Sequence, residues 1–214
     1  MPETKKNLLI TATVLMLLFA AFTAAVATYD VQPIGPEGSS VGFASLNGRF
    51  AAAVGSSDFW YILTDWLSMI VLVIPVGFAA LGLKQLIARK SLLKVDADIL
   101  CLGVFYVVVL AFYVGFDQFV INYRPLLIEG VLEPSYPSSH TFIFLCVMGS
   151  TMLQLPRRLA NRSLAAKLQL LCAAVVVLVI VGRVLSGVHW LTDIIGGLLL
   201  AAALLGYYYA AICK

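Results

Sequence analysis

The sequence contains very little charge. Only 12% of its 214 residues are Asp, Glu, Lys or Arg, whereas 62% are hydrophobic, and the formal net charge is +3. Soluble domains carry about a quarter charged residues, so this composition excludes an ordinary soluble protein and indicates a membrane protein. There is also no basic tail and no interleaving of basic with aromatic residues, which argues against a nucleic-acid partner. Without repeats or low-complexity segments, residues 1–214 are predicted to form a single domain.

The chain has only four cysteines, and no two of them have the short spacing that is typical of metal ligands. All four cysteines lie within apolar runs, which suits small side chains packed in helices, so the sequence predicts neither a disulfide framework nor a structural metal site. They are Cys101, Cys146, Cys172 and Cys213. Histidine is scarcer still, with two residues in the chain, and both stand next to other polar residues between apolar stretches.

Long apolar stretches make up most of the remaining chain. A membrane-spanning helix needs about 20 mostly apolar residues, and its backbone polar groups must be satisfied within the helix itself. Six stretches meet or approach this length: residues 8–29, 60–83, 99–120, 140–155, 168–185 and 190–213. The first is too long for the core of a signal peptide and is interpreted as a retained helix. We therefore predict an all-α integral membrane protein with six transmembrane helices.

The basic residues lie mainly at one set of helix ends. Lys and Arg concentrate on the cytoplasmic side of membrane proteins, so this asymmetry predicts that both termini are cytoplasmic. Eleven of the fourteen basic residues form this set: Lys5, Lys6, Lys84, Arg89, Lys90, Lys94, Arg157, Arg158, Arg162, Lys167 and Lys214. The opposite side holds only Arg49, Arg124 and Arg183. Arg49 can contact lipid headgroups, but the other two stand at helix ends near the histidines and need another explanation.

The outer loop over residues 30–59 is rich in glycine and proline. Within it, the segment FASLNGRFAAAVG permits either a short interfacial helix or an ordered connector, and both interpretations stay open. Trp60, Trp66 and Trp190 suit the aromatic belts that anchor a protein at the membrane interface. Asp65, in the second predicted helix, is interpreted as an edge position below the outer interface. None of these features by itself suggests chemistry.

The stretch SGVHWLTD combines His189 with Asp193 near the last predicted helix. On a helix, residues four apart share a face, so the carboxylate can accept a hydrogen bond from one imidazole nitrogen. That bond fixes the tautomer and leaves the other nitrogen free as a nucleophile or base, although a purely structural pair is the alternative. Arg183 would face away from His189 on one continuous helix, because six residues correspond to about 600° of rotation. Ser186 and Gly187 supply the break that allows both side chains to enter one site.

The stretch EPSYPSSH places the other histidine at a helix start. Pro134 and Pro137 prevent a helix upstream. Ser138 or Ser139 is therefore the expected N-cap of the fourth predicted helix. A helix N-terminus with free amides and serine hydroxyls binds anions, and His140 in the first turn would stand beside the anion as a proton donor. The alternative is a capped helix with an incidental histidine.

Arg124 occurs in the stretch NYRP at the end of the third predicted helix. Because it precedes proline, its backbone is expected to be extended, and its guanidinium can project into the site and match phosphate oxygens. A zinc site built from His140, His189 and Asp193 would be chemically adequate. Two neighbouring arginines disfavour it, since they repel a cation and attract an anion, so we expect no metal and no cofactor.

Taken in order, these residues resemble the motifs of the type 2 phosphatidic acid phosphatase superfamily, relatives of the vanadium haloperoxidases. The family pattern is K-x6-R-P, then P-S-G-H, then S-R-x5-H-x3-D. In this chain RP begins at Arg124, PSSH ends at His140, and RVLSGVHWLTD runs from Arg183 to Asp193. The resemblance covers about the second half of the chain, with the catalytic motifs within residues 117–193. It implies the family's helical-bundle phosphatase core, and six helices with an outward site resemble its integral membrane branch.

Three positions depart from the family pattern. The family lysine, seven residues before the arginine of RP, is replaced by Asp117, and a carboxylate cannot serve as a phosphate-binding ammonium. Ser139 stands where the family usually has glycine, and Gly182 where it usually has serine. Ser139 can still donate a hydroxyl hydrogen bond, whereas Gly182 cannot. Either another group takes the place of the lysine or phosphate binding is weakened.

The resemblance implies a two-step hydrolysis of a phosphate ester without a metal ion. His189 would attack phosphorus and form a phosphohistidine, with Asp193 orienting and stabilising the imidazolium. His140 would protonate the leaving oxygen and afterwards help to activate water. The phosphate-binding residues would be Arg124, Arg183, Ser138 and Ser139. Because one histidine must be neutral and the other charged, activity should follow a bell-shaped dependence on pH.

A lipid with a phosphate headgroup suits an interfacial site on the outer face. Candidates are phosphatidate, phosphatidylglycerophosphate and a polyprenyl diphosphate such as the undecaprenyl carrier, and the last is the most favoured single candidate. We expect a multi-pass protein of the plasma membrane, with its site on the extracytoplasmic side and no protein partner. The alternatives are a lipid phosphotransferase with the same site and, because of the missing lysine, a non-catalytic binder of lipid phosphates.

Overall fold

The chain folds into α-helices joined by short connections. The structure, a computed structural model, describes residues 3–213, apart from the side chain of residue 70. The helices are α1 (Glu3–Thr28), α2 (Ala44–Val54), α3 (Asp58–Val71), α4 (Val73–Arg89), α5 (Ala97–Gln118), α6 (Ser139–Arg158), α7 (Arg162–Leu185) and α8 (Leu191–Ile212). Extended pairing within residues 3–213 is limited to isolated bridges. The predicted all-α fold is confirmed.

Five apolar segments of the described chain are long enough to cross a membrane. They are Glu3–Thr28, Asp58–Arg89, Ala97–Gln118, Arg162–Leu185 and Leu191–Ile212. The second comprises α3 and α4, because a turn at Leu72 interrupts the helix predicted over residues 60–83. The chain is an all-helical integral membrane protein, while the count of six transmembrane helices and the cytoplasmic position of the termini stay predictions.

The fourth predicted span corresponds to α6, which is less apolar than those five segments. Its 20 residues correspond to about 30 Å, the thickness of the hydrocarbon core. It packs against α3, α5, α7 and α8, and its polar side chains pair inside the bundle. The hydroxyls of Ser150 and Tyr106 lie 3.0 Å apart, and Gln154 Nε2 donates to the hydroxyl of Tyr208 at 2.6 Å. Because neighbouring helices shield α6 from lipid, it can carry polar residues that a lipid-facing helix could not.

The apolar core lies where α1, α5, α6 and α8 meet. Helix α1 runs along α8, and a Cβ added at Gly206 of α8 would come within 2.9 Å of the Ala12 side chain. Small residues of this kind let helix backbones approach closely in a membrane. Aromatic rings fill the centre, including the stacked rings of Phe105 and Tyr208, whose centroids are 4.9 Å apart. This packing fixes the helix ends that carry the polar motifs.

The outer loop contains helix α2, which covers the beginning of α8. Of the two structures that the segment FASLNGRFAAAVG permits, the helix is therefore the one formed. Asn47 of α2 is fully buried, and its Nδ2 donates to the carbonyl of Gly42 at 2.7 Å and to the hydroxyl of Thr192 at 2.9 Å. Its Oδ1 accepts the backbone N–H of Thr192 at 3.3 Å. Helix α2 thus holds the first turn of α8 in place.

A network of ion pairs lies at one end of the bundle. Arg158, at the end of α6, pairs with Asp96 at 2.7 Å and also with Asp98, and both carboxylates lie at the beginning of α5. Arg89 of α4 pairs with Asp96 at 2.8 Å and, together with Arg158, holds the pKa of the Asp96 carboxyl well below its usual range. Lys214, another basic residue of the predicted cytoplasmic set, lies outside the described residues. The network gathers the basic ends of α4 and α6 on one side, as the predicted orientation requires.

Candidate active site

Four polar segments meet at the end of the bundle opposite this network. They are the loop after α5, the beginning of α6, the end of α7 and the turn into α8. These segments carry Arg124, His140, Arg183, His189 and Asp193. The positive charges of Arg124, Arg183 and His140 all act on His189. The structure therefore brings side chains predicted from three separate motifs into one cluster.

The turn between α7 and α8 places His189 back against Arg183. Helix α7 ends two residues before Gly187, which adopts a positive φ of 68°, a conformation that favours glycine. A Cβ at Gly187 would lie 2.2 Å from the carbonyl oxygen of Gly55, so the turn also packs closely on the end of α2. Arg183 Nη2 lies 3.2 Å from Nε2 of His189 as a result. The predicted break between the two helices is confirmed.

His189 faces a buried carboxylate. Its Nδ1 lies 3.6 Å from Oδ2 of Asp193, and both side chains are almost fully buried. The expected pairing of the two side chains is therefore present, but His189 lies just before α8, which begins at Leu191. Asp193 instead folds back over the turn, where Oδ2 accepts the backbone N–H of Trp190 at 3.0 Å and Oδ1 accepts Nδ2 of Asn122 at 3.3 Å. These two bonds fix the carboxylate beside the ring.

Burial and positive neighbours keep the His189 ring neutral. The residue is 2% exposed. Burial, followed by the charges of Arg124 and Arg183, lowers the pKa of His189 well below its usual value. A guanidinium can only donate hydrogen bonds, so Nε2 of His189 must accept from Arg183 and carries a lone pair. The proton of the neutral ring is therefore on Nδ1. This nitrogen makes no regular hydrogen bond within the described residues. The ring is thus prepared to act through Nε2 as a nucleophile or base.

Both arginines of the cluster present buried N–H groups without hydrogen-bond partners. Arg183 is fully buried, with its Nη1 donating to the hydroxyl of Thr64 at 3.3 Å and its guanidinium 5.6 Å from the ring centroid of Tyr61. Its Nε bonds to no described residue, and neither does Nη1 of Arg124. Buried donors without partners are costly, and an anion bound between them would satisfy them.

Arg124 is held by the loop between α5 and α6. Its backbone N–H donates to the carbonyl of Glu133 at 3.0 Å, next to an isolated bridge between Tyr123 and Pro134. This pairing keeps the segment extended, as the following proline predicts. The side-chain Nε also lies 3.0 Å from Oε2 of Glu133, and only 8% of Arg124 is exposed. A bound phosphate would therefore share the guanidinium with Glu133.

The two serines before His140 have different surroundings. Ser138 is the N-cap of α6, since its Oγ accepts the backbone N–H of Thr141 at 3.4 Å. Its own N–H donates to the carbonyl of Asp193 at 3.0 Å, so that amide is not available to a phosphate. Ser139 begins α6 and borders a cavity that His140 also lines. The structure thus selects Ser138 from the two N-cap candidates, and phosphate binding by either serine stays a prediction.

His140 pairs with a carboxylate that the sequence motifs did not reveal. Oδ1 of Asp65, in α3, lies 3.0 Å from Nε2 of His140. The edge position predicted for Asp65 overlooked this contact, because 75 positions separate the two residues and no local spacing links them. A charged residue inside an apolar stretch was the one signal that could have indicated it. The hydrogen bond from Arg183 to Thr64 in the same helix was equally unexpected.

The structure shows what surrounds Gly182 and Asp117, two positions that depart from the family pattern. A Cβ at Gly182 would lie 2.4 Å from Cγ2 of Thr64, so a serine there would collide with the residue that holds Arg183. Asp117 is exposed at the end of α5 and borders a small cavity of about 40 Å³ that Ser139 also lines. The position of the family lysine therefore still adjoins the beginning of α6.

An apolar cavity of about 480 Å³ opens beside His140. Ser139 and His140 line its polar end, and apolar side chains of α3, α5 and α6 line most of the rest. A second cavity of about 240 Å³ continues it between α4 and α5, sharing Pro75 and Tyr106 with the first. We call the two together the lateral groove. Its lining includes Met69, Leu72, Val109, Phe144, Leu86 and Ile99.

Known proteins share both the fold and the motif region of this chain. In fold, it is similar to the crystal structure of a transmembrane PAP2-type phosphatidylglycerolphosphate phosphatase from Bacillus subtilis, with a TM-score of 0.63, 18% identity and 93% of each chain covered. At that identity the similarity shows the fold alone, and no curated protein matches the chain. The family model of the PAP2 superfamily matches residues 66–213. Since this match covers more than half of the chain and includes all three motifs, the protein belongs to the PAP2 superfamily.

Proposed function

We propose that the protein is a membrane lipid phosphatase that hydrolyses a lipid phosphate or diphosphate through a phosphohistidine at His189, without a metal ion. The observation that carries the proposal is a pair of buried guanidinium groups with unpartnered N–H donors beside a neutral histidine ring. Such donors fit the charge that a phosphoryl transition state spreads over its equatorial oxygens. Membership of the PAP2 superfamily supports phosphatase chemistry.

In the first step, the phosphoryl group lies between Arg124 and Arg183, and Nε2 of His189 attacks phosphorus. The N–P bond forms while the bond from phosphorus to the leaving oxygen breaks, and His140 gives that oxygen a proton. The positive charge that develops on the His189 ring is stabilised by Asp193, whose Oδ2 lies 3.6 Å from Nδ1. Arg183 must turn its Nη2 from the ring to the phosphate, so substrate binding itself frees the lone pair.

In the second step, water replaces the ring at phosphorus. His140, now neutral, takes a proton from the water as the new O–P bond forms and the N–P bond to His189 breaks. The pair of electrons from that bond returns to Nε2, which restores the neutral ring, and inorganic phosphate leaves. Arg124 and Arg183 hold the phosphoryl oxygens in both steps, so one arrangement of positive charge serves two transition states.

The lateral groove favours a lipid as substrate and a polyprenyl chain among lipids. Its lining runs along α3 and α4 from Ser68 to Leu86. The eighteen residue steps along these two helices, which meet at the turn at Leu72, correspond to about 27 Å at about 1.5 Å per residue. One leaflet contributes only about half of a hydrocarbon core of about 30 Å. A chain that fills the groove from an outer site therefore passes the bilayer midplane, which suits a polyprenyl diphosphate better than phosphatidate or phosphatidylglycerophosphate.

The position of the basic helix ends favours a site on the extracytoplasmic side. Arg89 and Arg158 lie at the end of the bundle opposite His140, and such ends usually face the cytoplasm. Cysteines introduced beside Arg124 and beside Arg158 can be labelled from outside intact cells. We expect reaction beside Arg124, and reaction only beside Arg158 would reverse the orientation.

Phosphate release by the purified protein tests the function directly. The assay uses detergent-solubilised protein and a panel of lipid phosphates and diphosphates. It is run with a metal chelator and with vanadate, which mimics the transition state of phosphoryl transfer. We expect release that survives the chelator and stops with vanadate. Loss of activity with the chelator would contradict the metal-free mechanism. Binding without release would favour a non-catalytic binder, and transfer of phosphate to a labelled alcohol would favour a phosphotransferase.

A further inference from the structure

The contact between Asp65 and His140 joins α3 to the beginning of α6. Oδ1 of Asp65 lies 3.0 Å from Nε2 of His140. The region that matches the PAP2 family model begins at residue 66, one position after Asp65. The side chain of Asp65 is 45% exposed and that of His140 is 22% exposed, so the pair lies at the mouth of the site and not in the core.

This contact decides which nitrogen of His140 can exchange a proton with a substrate. An ionised carboxylate only accepts hydrogen bonds, so Nε2 of His140 carries a hydrogen that points at Asp65. The other nitrogen, Nδ1, is buried and makes no hydrogen bond to any described residue. His189 has the opposite arrangement, with Nδ1 toward Asp193 and Nε2 free of a proton. The two rings therefore turn opposite nitrogens toward a carboxylate, and only His140 is within hydrogen-bond distance of its carboxylate.

The face of α3 that carries Asp65 also holds one of the phosphate-binding arginines. Thr64 accepts a hydrogen bond from Arg183, and the ring of Tyr61 lies under the same guanidinium. Positions 64 and 65 lie three and four residues after position 61, so each is a neighbour of Tyr61 on the helix surface. One helix therefore sets the positions of both an arginine and a histidine that come from different motifs.

We propose that Asp65 is a positioning residue that holds the His140 ring for proton transfer through Nδ1. The proposal rests on the phosphatase function proposed above. As the N–P bond to His189 forms and the bond to the leaving oxygen breaks, the proton on Nδ1 of His140 passes to that oxygen. His140 keeps the hydrogen on Nε2 and becomes neutral. Water later returns a proton to Nδ1, and throughout both transfers Asp65 keeps its hydrogen bond to Nε2.

The test compares a good leaving group with a poor one. Asp65→Asn leaves a side chain of the same size that no longer fixes the ring by charge. We expect it to lower kcat for an alkyl lipid phosphate by about 10- to 100-fold with little change in KM, because an alkoxide needs a proton to leave. The burst of nitrophenolate from p-nitrophenyl phosphate, which reports formation of the phosphoenzyme, should persist because nitrophenolate leaves without a proton.

Matched variants separate positioning from folding. Asp58→Asn removes an exposed carboxylate from the same helix and should leave both rates unchanged. Asp65→Glu should keep part of the kcat that Asp65→Asn loses. In a protein that already carries His140→Ala, adding Asp65→Asn should cause no further loss of kcat. Equal losses on both substrates, or no loss on either, would overturn the role of Asp65. Activity that survives in His189→Ala would instead overturn the proposed function, so the two failures are distinguishable.

Discussion

Nη2 of Arg183 lies 3.2 Å from Nε2 of His189, so the guanidinium donates to the ring nitrogen that acts as the nucleophile in the proposed mechanism. Because a guanidinium has no lone pair to share, this contact keeps Nε2 unprotonated before the substrate binds. In the proposed mechanism, the contact also keeps the nucleophile occupied until a phosphate oxygen takes the same donor. Substrate binding and release of the nucleophile would therefore be linked through one side chain.

Replacement of the nucleophile should abolish turnover. We expect His189→Ala to lower kcat by about 10⁴-fold or more, as when an enzyme loses its nucleophile. A lipid substrate labelled with ³²P at its phosphate should label the unmodified protein, in an adduct that survives base and is lost in acid, as a phosphohistidine is. The variant should take up no label. Label on the His189→Ala protein would contradict the mechanism.

The His189 ring should stay neutral at lower pH than an ordinary imidazole. Burial and the charges of Arg124 and Arg183 lower its pKa from the usual value of 6.5. The neutral nucleophile therefore persists as the pH falls below 6.5 and is lost only when the pH reaches the lowered pKa. Arg124→Gln removes one positive charge, so it should raise the pKa of His189 toward its usual value.

The two histidines make this titration measurable by NMR. Protein with isotope-labelled histidine should give two ring signals, and His140→Gln identifies the signal of His189. We expect the midpoint of that signal below pH 6.5 and at a higher pH in Arg124→Gln. A His189 midpoint at or above the usual value, or one that does not move in the variant, would contradict the assigned electrostatics.

The turn before His189 should not tolerate a side chain at Gly187. Its φ of 68° costs about 1–3 kcal/mol for a residue with a Cβ. The added atom would also lie 2.2 Å from the carbonyl oxygen of Gly55. We expect Gly187→Ala to reduce kcat by about 100-fold, because the histidine moves relative to Arg183. Gly38→Ala is the control, since Gly38 has a φ of 73° but no atom within 4 Å of an added Cβ. Equal loss of activity in both variants would contradict this explanation.

The cavity between α4 and α5, which forms the inner half of the lateral groove, should select substrates with long chains. Gly103 lines that half, and a Cβ there meets nothing within 4 Å, so Gly103→Leu projects into open groove. We expect the variant to raise KM several-fold for a C55 polyprenyl diphosphate and to leave a C15 diphosphate unaffected. Gly77→Leu is the control, because Gly77 is also open and lines neither cavity. Both substitutions gain about the same helix propensity, near 0.8 kcal/mol. Equal effects on the two chain lengths would count against the groove as the chain site.

A lysine introduced at position 117, where the family has one, should strengthen substrate binding. Asp117 is exposed and borders the same small cavity as Ser139, so a longer basic side chain can extend toward the phosphate. We expect KM for lipid phosphates to fall in the order unmodified protein, Asp117→Asn, Asp117→Lys, because the first change removes repulsion and the second adds attraction. The difference should shrink at high salt. Unchanged KM in both variants would show that this position does not face the substrate.

Local chemistry sets the helix ends around the site, and these could be predicted. Prolines upstream and the hydroxyl of Ser138 start α6, and Gly187 ends the turn that follows α7. The break at Leu72 could not be predicted, because the residues on both sides are equally apolar. The length of α6 was also underestimated, because the apolar stretch ends at residue 155 whereas the helix continues through Pro156 to Arg158. An apolar pattern cannot show that a helix continues into a polar turn.

The sequence by itself determined which side chains are candidates for the chemistry, because Arg124, His140 and His189 stand in motifs whose spacing depends only on the order of residues. The tertiary structure alone decided what surrounds them. It places Asp65 beside His140 and Asn122 beside Asp193, across 75 and 71 positions of the chain. Contacts of this kind depend on how whole helices pack against each other, and neither local propensity nor short-range spacing contains that information.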